Sequence, residues 1–208
     1  MKLYYKFFAR ELRHRAWLIA ISFIVFVISF HINKYTVGKM EYYYMLFALA
    51  ACATLLHDDE TDFLKIGYMQ ITKVFACRYI ASVLSVAALP GIWLMIFTKE
   101  RRALKALFAF VVTVFIITAM GAFFRVLLKS TATALFCSLS IYVIFLFSSV
   151  FGLFSPFASM SIANLQKFYI NRFAWIFLSA LLIAISCLIL NMRDRYTTPE
   201  RRITRARV

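Results

Sequence analysis

The sequence predicts an all-α integral membrane protein, with six transmembrane helices preceded by an amphipathic helix at the membrane surface. Three observations lead to this fold class: 63% of the 208 residues are hydrophobic, only 16% are charged, and the mean hydropathy is +0.81. Such values lie far outside the range of soluble globular domains. Five glycines and three prolines are too few for a loop-rich chain, so the apolar residues are expected to form helices that cross a bilayer.

Residues 1–15 predict an amphipathic helix that lies in the headgroup layer. Wound at 100° per residue, the segment separates its cations from its apolar residues. The cations on one face are Lys2, Lys6, Arg10 and Arg13. The apolar residues on the other face are Met1, Tyr4, Tyr5, Phe8 and Leu12. Such a helix sets its cations against anionic lipid and its aromatic rings towards the hydrocarbon; the alternative is a plain basic flank before the first span.

Six apolar stretches follow in the region 16–192, and each predicts a transmembrane helix. Their predicted limits are 16–32, 42–56, 74–97, 106–124, 133–153 and 173–190. The third stretch contains Pro90 and Gly91, which are expected to kink or break its helix. Arg78, near the start of the same stretch, is expected to extend its side chain to the membrane boundary.

Two regions, one after the fifth predicted span and one after the sixth, are not apolar enough to form a span. Residues 154–172 are less apolar and contain Pro156, a composition typical of short interfacial or re-entrant helices. Residues 193–208 are basic and poorly patterned, and they predict a mobile cytoplasmic tail.

The distribution of Lys and Arg predicts that both termini are cytoplasmic. Six spans place the termini on one side, and with that side inside, 16 of the 24 basic residues are cytoplasmic and 8 are outside. This excess agrees with the positive-inside rule. The predicted location is therefore a bacterial-type cytoplasmic (inner) membrane, crossed several times. The basic corner at 99–105 disagrees, because it falls in an outer loop.

Composition and spacing exclude several classes of function. The net charge of +15 comes from cations at the ends of apolar stretches, which favours lipid headgroups over nucleic acid as their partner. No metalloprotease, nucleophile-elbow or phosphate-loop motif occurs, so no catalytic residue and no metal site are predicted. No Asp or Glu lies well inside a predicted span, which argues against a membrane enzyme or a proton-coupled transporter. The four cysteines lie in apolar runs without a CxxC pair and predict inert thiols.

The stretch 55–74 is the acidic exception in this basic chain. It holds four of the nine acidic residues: Asp58, Asp59, Glu60 and Asp62. On the predicted topology it is cytoplasmic, and its mixed acidic and apolar composition predicts a surface that docks another protein. The alternative is a solvated loop whose carboxylates offset nearby cations.

This stretch resembles the coupling region of ABC transporter permeases of the type-2 exporter family. In that family an acidic pair follows the second span. An amphipathic coupling helix and a turn come next, and they lead into a third span that starts with a basic residue, called here the basic entry. The matching residues here are Asp58, Asp59 and Glu60 for the acidic part, Phe63, Leu64 and Ile66 for the apolar face, Ile71 and Thr72 for the turn, and Lys73 or Arg78 for the basic entry. The sequence departs from the pattern at Thr61, where a small residue is usual, and in a turn without proline.

The resemblance implies a permease subunit that docks ABC ATPases through a coupling helix at about 58–70. The apolar face would enter a groove on the ATPase, while Glu60, Asp62 and Lys65 would pair with charges at its rim. Two ATPase copies and a second permease copy or a related permease are implied as partners, together with the lipid bilayer. ATP and Mg would be bound by the ATPase, and no cofactor by this chain, which is not itself expected to be an enzyme. A hydrophobic or amphiphilic substrate is expected.

Two alternatives stay open. Residues 56–59, with Asp62 and the Leu89–Pro90 pair downstream, are similar to the permease subunit of the cytochrome c maturation system. The second alternative is a non-transporting membrane module, such as an assembly, immunity or sensor protein, that docks a cytoplasmic partner through the same acidic loop.

Overall fold

The described part of the protein is α-helical. The structure, a computed structural model, describes residues 2–32, 44–50, 71–97, 100–128, 130–148, 156 and 165–205. The helices are α1 (Lys2–His14), α2 (Ala16–Ile32), α3 (Ile71–Phe97), α4 (Glu100–Leu128), α5 (Thr131–Ser148) and α6 (Leu165–Arg205). Residues 44–50 are also helical. Over these ranges the predicted all-α class is confirmed.

Three of these helices are long and apolar enough to cross a membrane. Their spanning segments are Thr72–Ile96 in α3, Leu104–Leu128 in α4 and Gln166–Met192 in α6. The pair Tyr5–Arg13 and Ala16–Ile32, bent by 53°, makes a fourth candidate if the two act as one span. The apolar part of α5, Thr131–Leu146, is shorter. The described helices therefore support a membrane protein with three or four candidate spans, and the six-span plan stays a prediction.

The helices extend further along the chain than hydropathy predicts. α2 has its predicted limits, but α4 begins at Glu100 and ends at Leu128, outside the predicted 106–124. α6 is 41 residues long, so it includes 165–172 of the expected interfacial segment and 193–205 of the tail that was expected to be mobile. Hydropathy marks the part of a helix that suits hydrocarbon, whereas each added residue beyond it still gains a backbone hydrogen bond.

A kink or a break was expected at Pro90, and α3 runs through it unbroken as one helix of 27 residues. Proline has no N–H, and its position in the helix leaves the carbonyl of Val86, four residues earlier, without its usual donor. The hydroxyl of Tyr44 donates a hydrogen bond to that carbonyl. Tyr44 is fully buried, so a side chain from another segment satisfies the acceptor that proline leaves open.

The core is centred on α4, which packs against α3, α5 and α6. The fully buried ring of Phe26, from α2, lies in edge-on contact with Tyr44, Trp93 and Phe110 at centroid distances of 5.4, 5.5 and 5.7 Å. Edge-to-face contacts at these distances stabilise aromatic pairs. One aromatic cluster thus joins α2, the helical residues 44–50, α3 and α4.

The helices differ widely in how much of their surface the protein covers. In the spanning segment of α4, 67% of the residues are buried, against 17% in that of α6. Large apolar side chains on α6, such as Phe173, Phe177 and Leu188, are exposed. α4 is therefore the central helix of the described bundle, and α6 lies at its periphery.

Candidate functional site at the start of α3

The predicted coupling helix lies outside the described residues. This holds for all eight predicted partner-binding residues: Asp58, Asp59, Glu60, Asp62, Phe63, Leu64, Lys65 and Ile66. The next described residue is Ile71, where α3 begins. The geometry of the candidate site is therefore that of the α3 entry, into which the acidic stretch leads.

The entry of α3 differs from the prediction in two respects. Ile71 and Thr72, predicted as a turn, belong to the first turn of the helix. Lys73 is exposed, whereas Arg78 is buried within the protein. The physical reason is that the carboxylate of Glu11, on α1, lies beside it and compensates its charge.

Glu11 connects two arginines from different parts of the chain. Its Oε2 atom lies 3.1 Å from Nη2 of Arg15, one helical turn away, and its Oε1 atom lies 3.5 Å from Nε of Arg78. Arg15 stands between α1 and α2, and Arg78 is on α3. This group of three, called here the Glu11 junction, therefore holds three helices together.

Hydrogen bonds to neutral oxygens complete the Glu11 junction. Nη1 of Arg15 donates to the backbone carbonyl of Arg78 at 3.2 Å and to the hydroxyl of Ser82. The guanidinium of Arg78 lies 5.9 Å from the ring centre of Phe7, within the range of a cation–π interaction. Arg15 is 4% exposed and Arg78 is 7% exposed. Because charge-assisted hydrogen bonds are strong when shielded from water, the three helices are held in one arrangement.

The predicted membrane-surface cations are located on α1. Lys6, Arg10 and Arg13 are exposed, whereas the side chain of Lys2 is not among those described. The same helix turns Phe7 and Glu11 towards α3. α1 is therefore a helix with exposed cations whose inner face includes a carboxylate, and its amphipathic role in the headgroup layer stays a prediction.

A third buried arginine lies on α6, away from the Glu11 junction. Arg172 of α6 is fully buried, and its guanidinium donates to the carbonyl of Ala109 at 3.2 Å, the hydroxyl of Thr113 at 2.9 Å and the carbonyl of Pro156 at 2.7 Å. The ring of Phe168 lies 5.8 Å from it. The sequence predicted Arg172 at the end of the interfacial or re-entrant segment 154–172, but in the structure it connects α6 with α4 and with Pro156.

Sequence reasoning missed Glu11, Arg15 and Arg172 as structural residues. A signal existed for the first two, since Glu11 is the single acid within 1–15 and precedes Arg15 by four residues, the spacing of a helical ion pair. No comparable signal marks Arg172. Its partners lie 16 to 63 residues away in the chain, a separation that only the tertiary structure closes.

The described residues contain neither a metal site nor a disulfide. In those ranges no group of three or more His, Cys, Asp or Glu side chains has the geometry to hold a metal ion. Cys77, Cys137 and Cys187 are free thiols, and Cys52 lies outside the described part.

Comparison of the chain with protein-family models, with curated proteins and with solved structures gave no match. The resemblance to type-2 exporter permeases therefore stays a prediction.

Proposed function

We propose that this chain is the membrane-spanning permease subunit of an ATP-driven ABC exporter of the type-2 kind. The single observation that carries the proposal is the Glu11 junction at the entry of α3. The acidic stretch proposed to dock the ATPase leads directly into this entry. A displacement of that stretch would therefore reach α3, and through Glu11 it would reach α1 and α2 as well.

The proposed mechanism needs rigid helices more than it needs reactive groups. Two ATPase subunits, which bind ATP and Mg, close on each other and displace the coupling helices of two permease copies. Each permease then moves α1, α2 and α3 together, because buried ion pairs and hydrogen bonds hold them. The substrate path between the two permease copies then opens to one side of the membrane and afterwards to the other, which is alternating access.

The proposed cargo is hydrophobic or amphiphilic. No Asp or Glu lies well inside a predicted span, and Glu11, the one carboxylate among the described side chains, is already shared between two arginines. A strongly charged cargo would need complementary charges on its path. A hydrophobic peptide, a lipid-like molecule or a drug does not need such charges.

Copurification from the native membrane tests the docking role. The intact chain is expected to bring down an ATPase with a phosphate-binding loop, identified by mass spectrometry. Phe63→Glu and Glu60→Lys are expected to abolish this association, because each reverses the character of the proposed contact. Arg13→Glu, a charge reversal on the exposed face of α1, is the matched control and should leave it intact.

The outcomes separate the exporter from the other class of function. If the chain brings down no ATPase, or if both acidic-stretch variants retain it, the exporter proposal is wrong. If the acidic stretch captures a different cytoplasmic protein, the chain is a non-transporting membrane module. A gene for such an ATPase beside the gene for this chain is an inexpensive first observation in favour of the exporter.

A further inference from the structure

The helices α2 and α3 run parallel and in register. Near their start Arg15 donates to the carbonyl of Arg78, 63 residues later in the chain, and near their end the rings of Phe30 and Trp93 lie 4.5 Å apart, at the same separation in the chain. A constant difference in residue number means that the two helices run in the same direction, because antiparallel helices would keep the sum constant instead. The contact extends ~22 Å from Arg15 to Phe30, at about 1.5 Å per residue. Since α3 is a candidate span, α2 occupies the same depth and begins on the same side.

The chain therefore returns across the bundle between α2 and α3. Two parallel neighbours begin at the same end, so the residues after Ile32 must lead back to the start of α3. The helical residues 44–50 lie on this return. The ring of Tyr44 is 5.4 Å from that of Phe26, and its hydroxyl donates to the carbonyl of Val86. Both partners lie well inside their helices, so Tyr44 marks the interior of the bundle on the way back.

The helices α4 and α6 are a second parallel pair. Nζ of Lys105 lies 4.6 Å from the ring centre of Phe168. Further along both helices, Arg172 donates to the carbonyl of Ala109 and to the hydroxyl of Thr113. The residue numbers rise together in the two helices, so α4 and α6 begin at the same end of the bundle.

The helix α5 brings the chain back between α4 and α6. It begins beside Leu128, the last residue of α4. Near its other end the ring of Phe145 lies 5.2 Å from that of Trp175, about one turn beyond the residue of α6 that bonds Thr113. From Thr131 to Phe145 the helix extends ~21 Å, and α4 extends ~22 Å from Thr113 to Leu128. The two lengths match, so α5 runs antiparallel to α4 and covers the distance that the chain must return.

The two parallel pairs are joined by the same kind of bridge. In each pair a buried arginine donates from Nη1 to a carbonyl of the neighbouring helix and to the hydroxyl one turn later. The residues are Arg15 with Arg78 and Ser82 in the first pair, and Arg172 with Ala109 and Thr113 in the second. Each hydroxyl in turn donates to that same carbonyl, at 2.8 and 2.9 Å. Because these bonds are charge-assisted and shielded from water, they fix the register of both pairs.

We infer that the chain forms two three-helix units of opposite orientation, each of which crosses the membrane three times. The first unit consists of α2, the crossing that contains 44–50, and α3; the second consists of α4, α5 and α6. The units meet where α3 and α4 run antiparallel, since Tyr79 donates to the carbonyl of Phe115 at 3.1 Å while Gly91 lies beside Leu107. The parallel pair of one unit therefore runs opposite to that of the other.

This arrangement goes beyond the docking of an ATPase. Many transporters are built from two units of opposite orientation in the membrane, whatever energy source drives them. The number and the direction of the crossings follow from the helix contacts alone, so the inference stands whether or not an ATPase binds the chain.

Labelling of single cysteines from each side of the membrane tests the two units in the full chain. The variants are Ile32→Cys, Lys73→Cys, Ser130→Cys and Gln166→Cys, all at exposed positions at or near the ends of helices. Each is treated with a membrane-impermeant maleimide in intact cells and in inverted membrane vesicles, with the unsubstituted chain as the background. Ile32→Cys and Gln166→Cys are expected to be labelled from one side only, and Lys73→Cys and Ser130→Cys from the other side only.

Two results would overturn the inference. Labelling of Ile32→Cys and Lys73→Cys from the same side would mean that the chain does not cross between α2 and α3. Labelling of Ser130→Cys and Gln166→Cys from the same side would mean that α5 does not cross. Ala119→Cys, at a fully buried position in α4, is the control and should be labelled from neither side.

Neighbouring positions keep the test decisive if a variant fails to accumulate. The replacements are His31→Cys, Thr72→Cys, Ala132→Cys and Lys167→Cys, each within two residues of the first choice. Labelling reports on the crossings and copurification reports on the ATPase, so a failure of this inference can be told apart from a failure of the proposed function.

Discussion

A single carboxylate, Glu11, organises the charged interior of the α1–α3 region. Two guanidinium groups meet it at 3.1 and 3.5 Å, and both arginines are largely removed from solvent. A buried cation is tolerated only when a partner compensates the water it has lost. Each arginine therefore depends on Glu11, and their backbone and hydroxyl contacts fix how the guanidinium groups are oriented.

We expect Glu11→Gln to lower the stability of the protein strongly. The amide keeps the shape of the side chain but leaves two buried arginines without a compensating charge, at a cost of about 3 kcal/mol. In detergent this corresponds to a fall of roughly 6–12 °C in Tm, measured by the loss of helical circular dichroism.

Arg13→Gln is the control for the Glu11 experiment, because it removes a charge from the exposed face of the same helix. Its cost should stay below about 0.5 kcal/mol. Equal shifts in the two variants would mean that Glu11 contributes no more than a surface charge.

At the scale of elements, α3 depends on a side chain from outside its own sequence. Pro90 removes the donor for the carbonyl of Val86, and the hydroxyl of Tyr44 replaces it. Two further contacts from other segments reach carbonyls of α3: Ser22 of α2 donates to Ser85 at 3.1 Å, and Arg15 donates to Arg78. Of these three carbonyls only that of Val86 lacks a helical N–H donor, so in an environment without water the contact from Tyr44 satisfies a group that would otherwise be costly, whereas the other two contacts add a link between segments.

We expect Tyr44→Phe to cost about 1–3 kcal/mol, since it leaves a buried carbonyl without a donor. In a Pro90→Ala background the cost should fall markedly, because the new N–H at residue 90 can bond the Val86 carbonyl within the helix. The difference between the two costs, from thermal unfolding of the four proteins in detergent, measures the coupling. Equal costs in both backgrounds would show that the hydroxyl does not replace the missing helical bond.

At the scale of the whole molecule, the number of spans decides which side each connection occupies. α3, α4 and α6 carry three candidate spans, and the bent pair of α1 and α2 makes a fourth. The six-span plan additionally requires 42–56 and 133–153 to cross the membrane. α5 covers most of the second of these, but its apolar part is short.

Cysteine labelling in intact cells tests the six-span plan. Single substitutions Thr98→Cys, Ser130→Cys and Thr197→Cys are treated with a membrane-impermeant maleimide, with the unsubstituted chain as the background. The plan predicts labelling at Thr98→Cys alone, because the other two positions are cytoplasmic. Labelling at Thr197→Cys together with protection at Ser130→Cys would mean that 133–153 does not cross the membrane and that the two ends of the chain lie on opposite sides.

Composition and hydropathy determined the class of this protein and the places of its described helices. A helix that crosses the lipid needs about 20 apolar residues in a row. Because this requirement concerns neighbouring residues only, it can be recognised in the sequence, and α2 has its predicted limits. The helix α1 was also predictable from the sequence, because its charges repeat with the helical period. Helix ends were less readable, since α4 and α6 continue beyond their apolar parts.

Only the tertiary structure decided which polar groups lie inside and which residues satisfy them. Arg78 lies within one apolar stretch, and the sequence predicts that its side chain extends to the membrane boundary. Arg172 adjoins another apolar stretch, and the sequence predicts that it belongs to the segment before the sixth span. Their burial depends on Glu11, Thr113 and Pro156, which are distant in the chain. The continuity of α3 through Pro90 likewise depends on Tyr44. Hydrophobic patterns are properties of neighbouring residues, but the compensation of a buried charge or carbonyl is a property of whichever segments the fold brings together.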